Sequence, residues 1–244
     1  MNIAIILAGG TGTRVGAGIP KQFIQVQNKP ILAYTLEIFQ ENPLIDAIEI
    51  VCHKDWLDDV EEICIQYGTT KKRWICTGGA TFQESTMNGI VNLKGKIADD
   101  DIVVISFGVS PMTTQEEIDD CIRVCSAHGN AICAANMDLL LGQSDESGND
   151  STVIGIPRDK VKGFANPWAF KYKELLQVYE EAKAKRILDI VDPHITSIYL
   201  ALGKRLWFSK HNRQNIKITY KEDLDAFEGW LLVKEKRRKE NNND

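Results

Sequence analysis

The chain opens with a short apolar run, Asn2–Leu7, that leads directly into the glycine-rich stretch LAGGTGTR at residues 7–14. The apolar run predicts a first β-strand. The glycines that follow let a ligand approach the backbone closely and direct backbone amides at phosphate oxygens. Arg14 and Lys21 add positive charge where a triphosphate would lie. Residues 7–21 therefore predict a nucleoside triphosphate site, with these nucleotide-binding residues in the turn: Leu7, Ala8, Gly9, Gly10, Thr11 and Gly12.

Two common phosphate-binding motifs do not match this turn. A Walker A loop would end in Gly-Lys-Ser/Thr, and a dinucleotide fingerprint would need Gly-x-Gly-x-x-Gly spacing. The alternative interpretation is a tight strand-to-loop turn with surface charges. The combination of glycines, Arg14, Pro20-Lys21-Gln22 and first-strand position favours the nucleotide site.

Predicted strands and helices alternate along most of the chain, which indicates an α/β fold with a mostly parallel sheet. The strands are predicted at Asn2–Leu7, Ile45–Cys52, Arg73–Cys76, Ile102–Ser106, Asn130–Ala135 and Arg205–Phe208. The helices are predicted at Pro30–Gln40, Trp56–Tyr67, Gln83–Leu93, Thr114–His128, Tyr172–Ala184, Pro193–Leu202 and Lys221–Lys234. Ligands bind beyond the carboxyl ends of such strands, so loops 8–21, 77–85, 106–112 and 209–219 should border one site.

Chain length, net charge and cysteine spacing restrict the classes of protein to which this chain could belong. A length of 244 residues fits one domain over 1–244, with a solvated tail at 235–244. The net charge of −5 disfavours nucleic acid and anionic membrane as partners. No apolar run is long enough for a transmembrane helix. The six cysteines lack zinc-ribbon spacing and are expected to be buried small side chains, which suits a cytoplasmic protein.

Four segments in order resemble a known family. LAGGTGTRVGAGIPKQF, KPILAYTLEIFQ, TGGATFQESTMNGI and NIKITYKEDLDAF are similar to segments of the cytidylyltransferases that act on methylerythritol phosphate and on ribitol 5-phosphate. The likeness runs along nearly the whole chain, and GGTGTR with KQFIQVQNKPI resembles the ribitol branch. It implies a three-layer, Rossmann-like sheet of the nucleotide-diphospho-sugar transferase type with a protruding β-arm.

The resemblance implies attack of a small phosphorylated alcohol on the α-phosphorus of CTP, with release of pyrophosphate and with Mg²⁺ as cofactor. Arg14, Lys21 and Lys217 would be the catalytic cations. Gly79 and Ala80 would offer backbone groups to the cytosine edge, and Ser85 a hydroxyl. The plainer alternatives are a solvated Lys217 and a Ser85 that caps a helix.

The acceptor half departs from the family pattern. Where the family has His-Asp-x-x-Arg-Pro, this chain has SFGVSP at 106–111, so Phe107 replaces a carboxylate and Ser110 an arginine. Other departures are Phe82, Leu139-Leu140 and Ala165-Asn166-Pro167-Trp168. The residues predicted to bind the acceptor are Arg158, Asp192 and Thr219; metal ligands stay unassigned.

Three hypotheses about function follow from this asymmetry. The first is a CTP-dependent enzyme that acts on a ribitol 5-phosphate-like or methylerythritol 4-phosphate-like acceptor. The second is a nucleotide-binding paralogue with an altered acceptor or little catalytic activity, and the third is a nucleotidyltransferase that uses another base. The stretch 138–164 resembles the family's dimerisation arm, and exposure of Leu139-Leu140-Leu141 would be costly, so a homodimer is expected.

Overall fold

The computed structural model describes residues 1–10, 18–145 and 150–241. In chain order the strands are β1 (Asn2–Leu7), β2 (Gln25–Val26), β3 (Lys29–Pro30), β4 (Ala47–Cys52), β5 (Lys72–Thr77), β6 (Ile102–Phe107), β7 (Asn130–Asn136), β8 (Leu141–Gln143), β9 (Ile154–Ile156), β10 (Lys162–Lys171) and β11 (Phe208–Ser209). The α-helices are α1 (Ile31–Glu41), α2 (Leu57–Gln66), α3 (Phe82–Asn92), α4 (Gln115–His128), α5 (Tyr172–Ala184), α6 (Ile195–Ala201) and α7 (Lys221–Asn241).

Across the described ranges, the central sheet has seven strands in the order β11-β7-β10-β6-β1-β4-β5. β1 pairs in parallel with β4 and with β6, and β5 continues the parallel set beyond β4. β10 runs antiparallel to both β6 and β7, and β11 is parallel to β7. The predicted mostly parallel α/β sheet is confirmed.

Helices cover both faces of the sheet and make three layers. Successive side chains of β1 point to opposite faces, so Ile3 and Ile5 pack in one core and Ala4 and Ile6 in the other. α3 and α5 contribute to the first core, and α1, α2 and α4 to the second. Burial on both faces explains why β1 is apolar at every position after Asn2 instead of alternating.

β10 is the main element that the strand pattern missed. The sequence breaks there at Asn166-Pro167, and a proline inside a run argues against a central strand because it cannot donate to the ladder. The structure accommodates it with a shift in the register to β7 between Ala165 and Trp168. Tertiary pairing on both sides of β10 overrides the local signal.

The last helix is longer than the sequence pattern predicts. α7 continues to Asn241 through an exposed acid–base stretch, where Lys239 pairs with Glu235 at 2.6 Å, instead of ending at Lys234. The expected solvated tail is therefore helical as far as Asn241.

Within 138–164, β8 and β9 form an antiparallel hairpin. Among the described residues, no helix combines the length and the apolar composition that crossing a bilayer requires.

Glu49 is a carboxyl group inside the core. It lies on β4 with an exposed fraction of 0%, and Asn92 on α3 donates a hydrogen bond to its Oε1. Burial raises the pKa of Glu49 to about 7, against smaller lowering contributions from hydrogen bonds with Asn92 and Cys76. The fold therefore favours the neutral form of this group.

Replacing Glu49 by glutamine should change how stability depends on pH. Because the folded pKa of about 7 lies above the model-compound value of 4.5, the contribution of Glu49 is fully present below pH 4.5, falls as pH rises, and is lost above pH 7. Glu49→Gln keeps an acceptor for Asn92 without the ionisation. Its free energy of unfolding relative to wild type should rise by about 3 kcal/mol between pH 4.5 and pH 8. Urea denaturation of both proteins at pH 4.5 and pH 8 measures the two free energies of unfolding. A difference between variant and wild type that is the same at both pH values would contradict the prediction.

Candidate functional site

The loops that follow β1, β5 and β6 meet the segment before α7 around a cavity of about 300 Å³, called here the nucleotide cavity. It lies beyond the carboxyl ends of the parallel strands, where ligands of such sheets bind. Its lining residues are Leu7, Ala8, Gly9, Gly10, Lys21, Gln22, Gly79, Ala80, Thr81, Phe82, Ser85, Phe107, Val109 and Lys217. The structure thus brings together nine of the predicted site residues from three distant parts of the chain: Leu7, Ala8, Gly9, Gly10, Lys21, Gly79, Ala80, Ser85 and Lys217.

The first wall of the nucleotide cavity is the turn after β1. The Ala8 amide donates to Val51 O at 2.7 Å, and Gln22 Nε2 donates to Ala8 O at 2.7 Å, which ties the two ends of the turn together. Among the atoms of the described residues, a Cβ placed on Gly10 would meet none within 4 Å. Thr11, Gly12 and Arg14, predicted to bind phosphate, lie outside the described residues.

Lys21 connects this turn to the C-terminal part of the chain. Its side chain is only 8% exposed, and its Nζ donates to Ile218 O at 2.9 Å. The Ile218 amide in turn donates to Val109 O at 2.9 Å, behind β6. Lys217, next to Ile218, is thereby placed at the nucleotide cavity although it lies 196 positions after Lys21 in the sequence.

The second wall is loop 78–81 at the start of α3. The Gly79 amide donates to Ser85 Oγ at 3.0 Å, and Ser85 Oγ donates to Thr81 O at 2.9 Å. The Ala80 amide donates to Glu84 Oε2 at 2.7 Å. Thr81, not Ser85, is the N-cap of α3, in a capping box with Glu84. These two amides already donate within the loop, whereas Gly79 O and Thr81 O accept from Ser85 at 3.4 Å and 2.9 Å. Because a carbonyl oxygen has two lone pairs, the carbonyl oxygens of the loop are better suited than the amides to contact a base.

A second cavity of about 530 Å³, called here the acceptor cavity, adjoins the nucleotide cavity. Phe107 and Lys217 line both. The other residues that line it are Phe164, Ala165, Asn166, Trp168, Asp192, His194, Thr196, Ser197 and Asn215. Most of these were not predicted as site residues, because Phe164–Trp168 lie on the missed strand β10 and the rest carry no local motif.

The three predicted acceptor residues lie in different places. Asp192 lines the acceptor cavity and pairs with His194; that hydrogen bond, against slight burial, lowers the pKa of Asp192. Arg158 lies on the arm, where it donates to Asp138 O at 2.7 Å. Thr219 is held behind Lys217 and donates to Lys217 O at 3.2 Å. Arg158 and Thr219 are absent from the lining of both cavities as the described residues define them.

Comparison with known proteins decides the family. Residues 2–232 match the family described as IspD, 2-C-methyl-D-erythritol 4-phosphate cytidylyltransferase. The chain belongs to the IspD family. It is 35% identical over 237 residues to the ribitol-5-phosphate cytidylyltransferase of Lacticaseibacillus paracasei, covering 96% of this chain and 100% of that protein. It is 34% identical to the 2-C-methyl-D-erythritol 4-phosphate cytidylyltransferase of Clostridium acetobutylicum, covering 95% and 97% of the two chains.

Solved structures agree on the fold of this IspD-family chain. The 4-diphosphocytidyl-2C-methyl-D-erythritol synthase of Anaerococcus prevotii superposes with a TM-score of 0.79 at 24% sequence identity. The match covers 95% of this chain and 96% of that one. At this identity the likeness supports the shared architecture alone.

The departures from the IspD-family pattern pack against one another. Phe107 lies 5.6 Å, between ring centroids, from both Phe82 and Trp168. His194 closes the group at 4.9 Å from Phe82 and 5.9 Å from Trp168. These four residues, called here the ring cluster, form the partition between the two cavities. Aromatic pairs at these distances stabilise each other, so the replacements make a coherent apolar wall.

The polar side chains around Asn166 also hydrogen-bond to one another. Asn166 Nδ2 donates to Ser106 Oγ at 2.9 Å, and Ser110 Oγ donates to Asn166 Oδ1 at 3.3 Å. Asn215 Nδ2 donates to Asn166 O at 2.8 Å and to Glu117 Oε1 at 3.1 Å. The Glu117 carboxylate anchors this network, and its other members are neutral side chains that have hydrogen-bond partners, which avoids the cost of buried unpaired polar groups. Ser110 in this network, like Phe107 in the ring cluster, is a neutral side chain at a position where the family resemblance implies a charged one.

The residues around the nucleotide cavity do not fit a magnesium ion held by the protein. Its described lining contains neither aspartate nor glutamate, and residues 11–17 contain none in the sequence. Over the described ranges, no cluster of three or more His, Cys, Asp or Glu side chains could hold a metal. Mg²⁺ prefers carboxylate and phosphate oxygens, and Phe107 stands where the family resemblance implies a carboxylate.

Gly79→Ala should destabilise the protein, whereas Gly10→Ala should not. A Cβ on Gly79 would lie 2.2 Å from Glu84 Cβ, which forces the first turn of α3 to move, while a Cβ on Gly10 contacts no atom of the part of the chain that the structure describes. Overpacking of this kind costs about 1–3 kcal/mol, or roughly 3–10 °C in Tm. Thermal unfolding followed by circular dichroism measures both variants. Equal Tm values for the two would show that the loop relaxes freely.

Proposed function

We propose that this chain transfers CMP from CTP to a phosphorylated polyol and releases pyrophosphate. Ribitol 5-phosphate is the leading acceptor, because the relative from Lacticaseibacillus paracasei is named for it, and a methylerythritol 4-phosphate-like polyol is the second. In this reaction an acceptor phosphate oxygen attacks the α-phosphorus of CTP. The bond from the α-phosphorus to the bridging oxygen breaks, and pyrophosphate leaves with its electron pair.

The observation that carries this proposal is the shared boundary of the two cavities at Lys217. Transfer between two substrates requires the donor phosphorus and the attacking oxygen to be held within reach of each other. A cation at that boundary stabilises the charge that builds up on the transferring phosphate. We assign this role to Lys217, with Lys21 and Arg14 on the triphosphate.

Mg²⁺ enters the proposal as a partner of CTP and not of a protein site. The ion commonly binds substrate phosphates and keeps several waters. When bound to the triphosphate it would neutralise part of the charge on the leaving pyrophosphate.

Pyrophosphate release tests the proposed reaction. With CTP, Mg²⁺ and ribitol 5-phosphate, wild-type protein should release pyrophosphate, and Lys217→Met should lower kcat/KM by about 100-fold or more. Lys94→Met, an exposed lysine after α3, is the control and should stay within about twofold of wild type. CTP binding without pyrophosphate release, for any polyol phosphate offered, would instead favour the nucleotide-binding paralogue.

The same assay tests the choice of base. Loop 78–81 offers carbonyl oxygens, which accept a hydrogen bond from the exocyclic amino group of cytosine, whereas uracil presents an oxygen there. We therefore expect CTP to bind at least about tenfold more tightly than UTP in a competition titration. Equal affinities would support a nucleotidyltransferase with a different base preference.

We further propose a homodimer built through the arm, 138–164. Leu139 and Leu140 are 72% and 86% exposed on the isolated chain, and Val153 is 97% exposed. Adjacent apolar side chains at this exposure indicate a surface that a partner covers. The proposed location is the cytoplasm, because all six cysteines of the chain are free, as is usual in a reducing compartment.

A double substitution on the arm should dissociate the dimer. Leu139→Asp with Leu140→Asp places two charges where apolar side chains would be covered, so light scattering after size exclusion should give the monomer mass of about 27.4 kDa. Ile65→Asp is the matched control, because Ile65 is 73% exposed on α2, away from the arm. A monomer mass for the wild-type protein at micromolar concentration would contradict the proposed dimer.

A further inference from the structure

Phe107 and Lys217 touch at the point where the nucleotide cavity and the acceptor cavity meet. Lys217 Nζ lies 3.6 Å from the centroid of the Phe107 ring. The ring is 8% exposed and ends β6, which is paired along its length with β1. An ammonium group over the face of a buried aromatic ring is attracted by the ring quadrupole.

The backbone around Lys217 is fixed from both sides. Asn215 Nδ2 donates to Asn166 O, and the Ile218 amide donates to Val109 O. The four-carbon lysine stem can still point in several directions from a fixed backbone. In the observed direction the ammonium lies over the Phe107 ring, and Lys217 lines both cavities.

We propose that Phe107 is a positioning residue: its ring holds the Lys217 ammonium at the junction of the two cavities by a cation–π contact. The identity of the phosphates that this ammonium meets rests on the proposed function. A carboxylate at the same position would pair with the ammonium and cancel most of its charge. The ring attracts the ammonium without neutralising it, so the ring itself leaves the positive charge available to phosphates.

Titration of CTP by calorimetry tests the proposal through four variants: Phe107→Leu, Phe107→Tyr, Lys217→Met and the double variant Phe107→Leu with Lys217→Met. Phe107→Leu keeps an apolar side chain without the ring and should raise the CTP Kd by about fivefold. Phe107→Tyr keeps the ring and should stay within about twofold of wild type. In the Lys217→Met background, Phe107→Leu should add less than about twofold, because the cation is already gone.

The double-mutant comparison separates positioning from packing. If removal of the ring only loosened the ring cluster, Phe107→Leu would weaken CTP binding equally with and without the Lys217 charge. That equal loss would overturn the proposal, as would a Phe107→Tyr variant as weak as Phe107→Leu.

A nuclear magnetic resonance measurement tests the contact without CTP or acceptor. In protein labelled with ¹³C at the lysine ε carbon, the Lys217 signal, assigned by its loss in Lys217→Met, should be shifted upfield by the ring current of Phe107. The shift should persist in Phe107→Tyr and disappear in Phe107→Leu. An unshifted Lys217 signal in wild type would overturn the proposal. Failure of the proposed reaction alone would appear as absent pyrophosphate release with this shift intact.

Discussion

Burial of β1 between β4 and β6 is the constraint on which the site depends. Its residues from Ile3 to Leu7 are at most 7% exposed and pair in parallel on both sides. A slip of one residue would exchange the two faces of the strand and disrupt both cores at once. The register is therefore strongly specified, and the segments after Leu7 and Phe107 must leave the sheet at the same edge.

The two halves of the site use different physical means. On the nucleotide side, backbone groups and cations surround a cavity, and Lys21 joins the glycine turn to the C-terminal segment through Ile218 O. On the acceptor side, the ring cluster and the hydrogen bonds around Asn166 build the wall of the acceptor cavity. The ionisable side chains Asp192, His194 and Lys217 also line this cavity, and Lys217 lies at the boundary of both cavities.

The elements that were predicted correctly are those whose bounds follow from residues close together in the sequence. The helix Tyr172–Ala184 and the strand Asn2–Leu7 were placed at their observed bounds, since apolar periodicity and flanking residues define them. β10 was missed because Asn166-Pro167 interrupts its pattern, and its partners β6 and β7 lie far away in the sequence. Asn166 and Trp168 were recognised only as departures from the family pattern, and their place in the lining of the acceptor cavity was missed together with β10.

The sequence by itself determined the α/β class, the glycine turn after the first strand, the family and the replacement of charged residues by Phe107 and Ser110. Each of these features depends on residues that are close together in the sequence, or on the order of short segments along the chain. Only the tertiary structure decided that the replacements meet in one ring cluster, that loop 78–81 already uses its amides, and that Phe107 faces Lys217. Those facts depend on side-chain directions across strands distant in sequence, which sheet pairing sets and spacing along the chain does not.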